Sequence, residues 1–429
     1  LHLKGEFMNQ VVELRAFAPW LPVVVGSLIE AGGWALLARK MPACVGLVLL
    51  LSFARPLAQE AEPPIPEPKE GEATDEKGEK AADEANAGKL EIKGFVDVYY
   101  AYNFNRPADQ ANFFPGTGTT AKRDNEFAIN LAQVDFIVAP KPVGVHIAAG
   151  YGNSMEMVHA AEVDGVATSP GVWRNLLQAS LDVQTKVGKG LFVQAGLFPS
   201  HIGFEAFQTK DNWNYTRSWE AEFSPYYQLG VKLAYPLGEH WSAQVHFLNG
   251  WQVIADNNRG KSLGWQFAYA ADKVSLTFNG IVGPELPDDD HDLRALLDTV
   301  VVWKATPDWS FAACLDLGGQ ELPTGGDSRW EGLALYARLA PPESKLAFAL
   351  RVETYDDEEG AISGAEQTLR EATATLEMRP LDRLILKIEG RYDRSTAEVF
   401  AGDGVDATGE AIRDQGDEAL LLVGAVVTF

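Results

Sequence analysis

The chain has 429 residues and a formal net charge of −24, from 60 acidic against 36 basic side chains. That balance excludes a nucleic-acid binder, which neutralises phosphates with clustered Lys and Arg, and two cysteines exclude a disulfide framework. No apolar run of about 20 residues follows Ala54, which excludes a bundle of transmembrane helices, while 40 Gly, 11 Trp, 12 Tyr and 21 Phe point to strands, turns and aromatic surfaces.

Residues 1–58 read as upstream sequence and a signal peptide. Met8 and Met41 are both candidate starts, and Gly46 to Phe53 is a short apolar core ahead of Arg55-Pro56-Leu57-Ala58. Such a run is too short to span a bilayer and suits signal-peptidase removal. Residues 59–89 carry ten acidic residues against four lysines, with no aromatic. A segment of this composition cannot bury enough apolar surface to offset its ordering entropy, so it reads as a disordered acidic tail in the periplasm.

From Leu90 onward the period is two. Leu90, Ile92, Val96, Val98, Tyr100 and Tyr102 alternate with Glu91, Lys93, Asp97 and Asn103, the signature of a strand with two unlike faces. The pattern recurs in about sixteen segments: 90–102, 126–138, 143–151, 174–186, 191–198, 225–236, 240–251, 262–270, 273–282, 293–304, 309–317, 330–339, 345–354, 367–378, 383–393 and 420–429. Most have about the 9–11 residues that a tilted strand needs to cross a bilayer core. In 126–138 the phase breaks: Phe127, Ile129 and Leu131 are odd, Val134, Phe136 and Val138 even. A bulge near Ala132 reconciles them.

Short and long links alternate along the chain. Turns such as Pro140-Lys141-Pro142, Gly188-Lys189-Gly190 and Thr306-Pro307-Asp308 are short and made of Pro, Gly and Asp. The links 103–125, 152–173, 199–224, 252–261, 283–292, 318–329, 355–366 and 394–419 are long. An even strand number with short turns on one side and long loops on the other predicts an all-β fold, a transmembrane antiparallel β-barrel of the bacterial outer membrane. A soluble propeller or sandwich accounts less well for the aromatics placed towards strand ends: Tyr100, Tyr102, Trp241, Trp251, Trp265, Tyr269, Trp303, Trp309 and Trp330. Phe429 closes the last apolar segment and reads as a signal for the barrel-assembly machinery.

The run Gly94-Phe95-Val96-Asp97-Val98-Tyr99-Tyr100-Ala101-Tyr102-Asn103-Phe104-Asn105 resembles the opening strand of the OmpL-like β-barrel porin-2 family. Asn212-Trp213-Asn214-Tyr215-Thr216-Arg217-Ser218, followed by Pro225-Tyr226-Tyr227-Gln228-Leu229-Gly230-Val231, resembles that family's central loop and next strand. The resemblance covers about residues 90–429. It implies an outer-membrane location and passive solute passage, and supplies no catalytic residues.

The polar phase supplies candidate pore-lining residues Lys186, Lys232, Arg338, Arg351, Glu353, Glu371, Arg383, Lys387, Glu389 and Arg391. Arg338, Arg351, Arg383, Lys387 and Arg391 fall on three nearby segments. They can form a stripe that screens anions, or simply pair with Glu353, Glu371, Glu377 and Glu389. The loop 199–224 is unusually aromatic. His201, Phe204, Phe207, Trp213, Tyr215 and Arg217 make it the candidate constriction, folded inward; the other reading is a cap over the barrel rim.

Chemistry has little support. The acidic cluster around His291 matches no calcium-loop spacing, and the histidines show no zinc spacing, so no metal, cofactor or enzymatic activity is expected. Cys314 falls in the inward phase without a partner. The reading is a porin that passes small hydrophilic solutes or ions, its partners membrane lipid and solute. The alternative is a narrow or plugged barrel whose external loops serve adhesion or partner binding. Nothing in the sequence demands a homo-oligomer or names the solute.

Overall fold

The computed structural model describes residues 88–160, 162 and 170–429; the expected signal and nearly all of the acidic tail lie outside the described residues. Sixteen strands form one closed barrel in which each neighbours the next in sequence and the last pairs with the first. They are β1 (Leu90–Asn103), β2 (Phe127–Val138), β3 (Val143–Tyr151), β4 (Leu176–Gln184), β5 (Phe192–Pro199), β6 (Tyr227–Pro236), β7 (Trp241–Leu248) and β8 (Ser262–Ala271). The second half comprises β9 (Val274–Pro284), β10 (Leu293–Lys304), β11 (Trp309–Glu321), β12 (Asp327–Leu339), β13 (Leu346–Asp357), β14 (Gln367–Leu381), β15 (Leu384–Ser395) and β16 (Asp417–Thr428). Among the described residues three short α-helices, α1 (Asn153–Val158), α2 (Pro170–Trp173) and α3 (Trp219–Phe223), and a 3-10 turn (Thr209–Asp211) lie in the long loops. Every pairing is antiparallel, including the closing seam, which runs in register from Phe95↔Thr428 to Asn103↔Leu420.

The expected faces are present. On β13, Phe348, Leu350 and Val352 point outward and are exposed, whereas Ala347, Ala349, Arg351 and Glu353 point inward and are buried. An exposed belt of Val, Leu, Ile and Phe costs about 25 cal/mol per Å² in water; against hydrocarbon the cost vanishes, and closure leaves no sheet edge with unpaired backbone groups. Trp241 pairs with Tyr269 at 5.0 Å, and Trp303 and Trp309 flank Phe311 at 5.7 and 6.0 Å. These rings gird the short-turn end. Tyr100 with Phe127, and Tyr102 with Phe104, gird the other.

Three details differ from the sequence reading. The phase break of β2 lies at Asn130, not Ala132: Asp97 pairs with Leu131 and Val98 with Ile129, so Asn130 is the extra residue. Leu131 therefore points inward, where it packs with Phe95 and Met155. Asn130 turns into the lumen because its amide donates to buried Asp97 at 2.8 Å.

The link read as 318–329 is a hairpin, with β11 and β12 paired from Trp309↔Leu339 to Glu321↔Asp327. Gly318 and Gly319 are in the ladder, with Gly325 and Gly326 in the turn, and Gly318 makes room for the indole of Trp330. Trp330 and Trp251 are not girdle residues. Both are buried, 6.4 Å apart and edge-on, in an apolar cluster with Phe113, Phe114, Trp219, Phe223 and Phe400. That cluster is assembled from several long loops and inward strand positions, so one end of the barrel interior is packed with aromatic rings.

Candidate solute pathway and constriction

The loop between β5 and β6 enters the barrel. Gly203 N donates to Asp298 on β10 at 3.2 Å, the Tyr215 hydroxyl to Asp97 on β1 at 2.7 Å, and Gln208 Nε2 to Gln133 on β2 at 3.1 Å. Asp97, Gln133 and Asp298 are inward residues well inside their strands, so the loop crosses the lumen rather than capping the rim. A socket in the wall helps: a Cβ at Gly424 on β16 would lie 2.3 Å from the Tyr215 ring, and only a glycine lets that ring reach the sheet.

Local sequence shapes the loop. Asn212 side-chain atoms bond both Ala206 N, at 2.7 Å, and Ala206 O, at 2.8 Å, closing a tight bend. Ser218 then caps α3: its hydroxyl accepts from Ala221 N at 3.2 Å, as an N-cap serine does. The helix amides of Trp219 and Glu220 donate to Glu353 on β13, each at 2.7 Å. A carboxylate at a helix start also meets the positive end of the peptide dipoles.

The basic residues of the far wall hold the loop. Arg351 bonds Glu371 at 2.8 Å, and its Nη1 reaches both Glu205, at 2.7 Å, and the carbonyl of Thr216, at 2.6 Å. Lys387 donates to the carbonyls of Thr209, at 2.8 Å, and Asn212, at 2.5 Å. Arg391 is held by Asp393 and donates to Arg217 O at 2.5 Å. Glu389 accepts from Tyr215 N and, at 2.9 Å, from Thr216 N. Arg351, Lys387, Glu389 and Arg391 are all buried.

Of the two readings of the basic stripe, pairing describes this geometry: Arg351 meets Glu371, and Arg338 meets Glu377 at 3.2 Å. The spare donors of Arg351 go to Glu205 and Thr216 of the loop. Arg383 is not on the wall, because it sits exposed in the turn between β14 and β15; Lys186 is likewise exposed in the turn after β4. Lys232 lies on β6 over the rings of Phe192 and Phe198, 5.8 and 5.3 Å away.

The six aromatic and basic loop residues do not form one surface. Phe204 and Trp213 pack edge-on and against Tyr336 of β12, at 4.8 and 6.4 Å. His201 stacks on His246 of β7 at 4.0 Å. Phe207 contacts Tyr226, and the Arg217 guanidinium covers the same ring at 4.3 Å. From outside, the loop between β1 and β2 locks down on α3: Gly118 N and the Thr119 hydroxyl donate to Glu222 at 2.8 and 2.6 Å, and Phe114 stacks on Trp219 at 5.0 Å.

The wall β3–β7 is different. Apart from Tyr227 and Gln228 at the loop end of β6, which meet Glu162 and His201 of the loops, its inward hydrogen bonds run between its own polar side chains or to its edge neighbours. His146 Nε2 lies 2.8 Å from Asp135, Gln194 donates to Asp182 at 2.9 Å and to Ser180 at 3.2 Å, and Gln244 donates to Gln266 at 2.8 Å.

Sequence reasoning missed the loop carboxylates Glu205, Glu220 and Glu222; alternation put Asp97, Asp298 and Asp316 in the inward phase but gave no sign of their loop partners. Ser218 ahead of a short acidic run was the one available signal, as a helix cap. Gly260-Lys261-Ser262-Leu263-Gly264 has the spacing of a nucleophile elbow. It opens β8, and Ser262 donates to Glu285 at 2.5 Å; the strained strand-to-helix turn that presents such a serine is not what surrounds it. His291 and its neighbours form an exposed turn in which Asp289 accepts from the His291 and Asp292 amides.

The family described as "Putative beta-barrel porin-2, OmpL-like" matches residues 89–429. The anion-selective porin from Comamonas acidovorans is similar in fold, with 13% identity and a TM-score of 0.53 over 80% of this chain and 99% of that one. Salmonella typhi OmpF, solved in complex with daunomycin, shows 12% identity and a TM-score of 0.52 over 80% and 99%. The outer-membrane channel DcaP of Acinetobacter baumannii shows 12% identity and a TM-score of 0.50 over 80% and 98%. No curated protein matches the chain. A closed sixteen-stranded barrel with an outward apolar belt and a family match over its whole length lead to one assignment: the chain belongs to the β-barrel porin-2, OmpL-like family and is a porin of the bacterial outer membrane.

Proposed function

We propose that small hydrophilic solutes cross this barrel by passive diffusion along the β3–β7 wall, past the inward loop between β5 and β6, which sets the narrowest point. The observation that carries this reading is the asymmetry of the lumen. The basic and acidic residues of β13–β15 are consumed by the loop, while the polar side chains of β3–β5 bond mainly among themselves. A solute can exchange hydrogen bonds with the second set without dismantling the loop. Lys232 and His146 stand on this route beside Asp135 and Asp182, so positive and negative groups are both offered. Arg351, Glu353, Glu371, Lys387, Glu389 and Arg391 position the constriction instead of meeting solute, and Arg338 faces the lumen nearer the short turns.

On this reading the acidic tail ahead of the barrel lies in the periplasm and the residues before it direct export. Phe429 ends the seam, paired through its backbone with Gly94 at 2.9 and 3.1 Å, and serves as the assembly signal. Assembly into homo-oligomers is compatible with the exposed belt. The test is single-channel recording in planar bilayers with the purified, folded full chain. Stable current steps are expected, with reversal potentials that move towards cation preference in Lys232→Glu. A folded sample that never conducts would overturn the reading.

A further inference from the structure

Four carboxylates crowd the interior beside the inward loop. Asp298 and Asp316 are paired directly across β10 and β11. Glu353 stands on β13, and Glu220 on α3 reaches down among them. All four are buried. Like charges placed opposite each other on neighbouring strands repel, and burial without a partner multiplies that cost. Two of the four are compensated. Asp298 accepts from Asn279, from Gly203 N and from the Cys314 thiol at 3.2 Å. Glu353 accepts the two amides of α3. None of the ion pairs among the described residues reaches any of the four.

Glu220 and Asp316 are the remainder. Glu220 is 2% exposed, and neither of its carboxylate oxygens has a hydrogen-bond partner; Oδ1 of Asp316, a residue 3% exposed, has none either. The Cys314 thiol has a single hydrogen and gives it to Asp298. Ligand atoms of Glu220, Cys314 and Asp316 all lie within 4.8 Å of one another. The wall is shaped to receive Glu220: a Cβ at Gly332 of β12, paired with Asp316, would lie 2.6 Å from Glu220 Cγ and 2.9 Å from Oε1.

We propose that Glu220, Cys314 and Asp316 bind a divalent cation of the zinc class, which pins α3 of the inward loop to β11. The donor set selects the metal. Two carboxylates and one thiolate suit a borderline-soft ion, whereas calcium and magnesium take oxygen alone. A tetrahedral ion holds such ligands roughly 3.3–3.8 Å apart, so an inward shift of about one ångström closes the site. Binding takes the Cys314 proton away to solvent and leaves Asp298 with its amide donors. The site is sealed beneath the loop, so the ion enters while the barrel forms. It would exist whether or not solutes pass, and its test is separate from the conductance test above.

The full chain is refolded into detergent micelles with zinc chloride, with calcium chloride or with a chelator, then desalted, and bound metal is counted by mass spectrometry. One zinc per barrel is expected, no retained calcium, and a higher unfolding temperature for the zinc-refolded sample. Cys314→Ser, Glu220→Gln and Asp316→Asn should each lower zinc retention at least tenfold. Heat-modifiable gel mobility shows which variants have folded. Cobalt(II)-refolded wild-type protein should show near-ultraviolet thiolate-to-metal absorption, which needs no variant. Any of these results overturns the proposal: wild-type barrel that retains no zinc, zinc retained equally by the three folded variants, or a cobalt form without the thiolate band. Calcium retained in place of zinc would also overturn it, by showing an oxygen-only site.

Discussion

Asp97 is buried on β1 and has three donors: Asn130 and Thr209 on one oxygen, at 2.8 and 2.7 Å, and the Tyr215 hydroxyl alone on the other. Removing a donor from a buried carboxylate costs more than the bond itself, because the desolvated oxygen is left unpaired. Tyr215→Phe is therefore expected to destabilise the barrel by about 1–3 kcal/mol, read from denaturant midpoints, with its β content unchanged. Lys122, in the loop after β1, offers a pH test. Its ammonium donates to the carbonyls of Asn112 and Thr117 at 2.9 and 3.0 Å, and burial pushes its pKa down to about 8. An exposed lysine titrates near ~10.4, so between these values the unfolded chain binds more protons than the folded one. Stability then rises with pH across that window. Lys122→Met should remove this part of the rise, measured as the difference between denaturant midpoints at the two ends of the window.

Single residues were where the sequence said least. Alternation placed Arg351, Lys387 and Glu389 on the inner face, because a strand's period is local, and the three are buried. Their partners lie 135 to 178 positions away in the loop, and no local pattern carries that information. Trp251 and Trp330 misled for a related reason: an aromatic near a strand end belongs to a lipid girdle or to an inner core, and only the loops that cover it decide.

At the scale of elements, the loop between β5 and β6 behaves as a buried insert stitched at many points. Arg351→Ala would strand Glu205 and Glu371 without their cation, a loss of about 3–5 kcal/mol for a broken buried pair. The expected consequence in single-channel traces is noisier current with frequent transitions, as the loop loosens. Deleting 205–218 should enlarge conductance severalfold, and an unchanged conductance would remove this loop as the constriction. Its inward fold was legible only as an excess of rings in a nominally exposed loop. The strands were far more legible, since outward Leu, Val and Phe repeat every second residue and Pro, Gly and Asp mark the turns. Where glycine stood inside a ladder, as at Gly318, it read as a break; the covering Trp330 ring explains why it is not one.

For the whole molecule, the same sequence pattern that gave closure also fixed what faces lipid, and the family match over residues 89–429 agrees with it. The interior could not be read that way. A polar lumen suggests a water-filled tube, yet Phe113, Phe114, Trp219, Phe223 and Phe400 build an apolar core inside one end. Proteases added outside intact cells should therefore leave the chain between β5 and β6 uncut while cleaving exposed segments such as 403–410, seen by mass spectrometry as cut sites confined to those segments.

The Tyr215 contacts carry a consequence for how the cylinder is made. That one residue grips Asp97 on the first strand through its hydroxyl and Glu389 on the penultimate strand through its amide, and its ring rests on Gly424 of the last. The middle of the chain thus fastens the two ends where they meet. A hoop already shut would have to admit the bulky insert through its mouth, so the expected order seats the insert first and lets the final strand dock around it, like a stave driven home beside a bung.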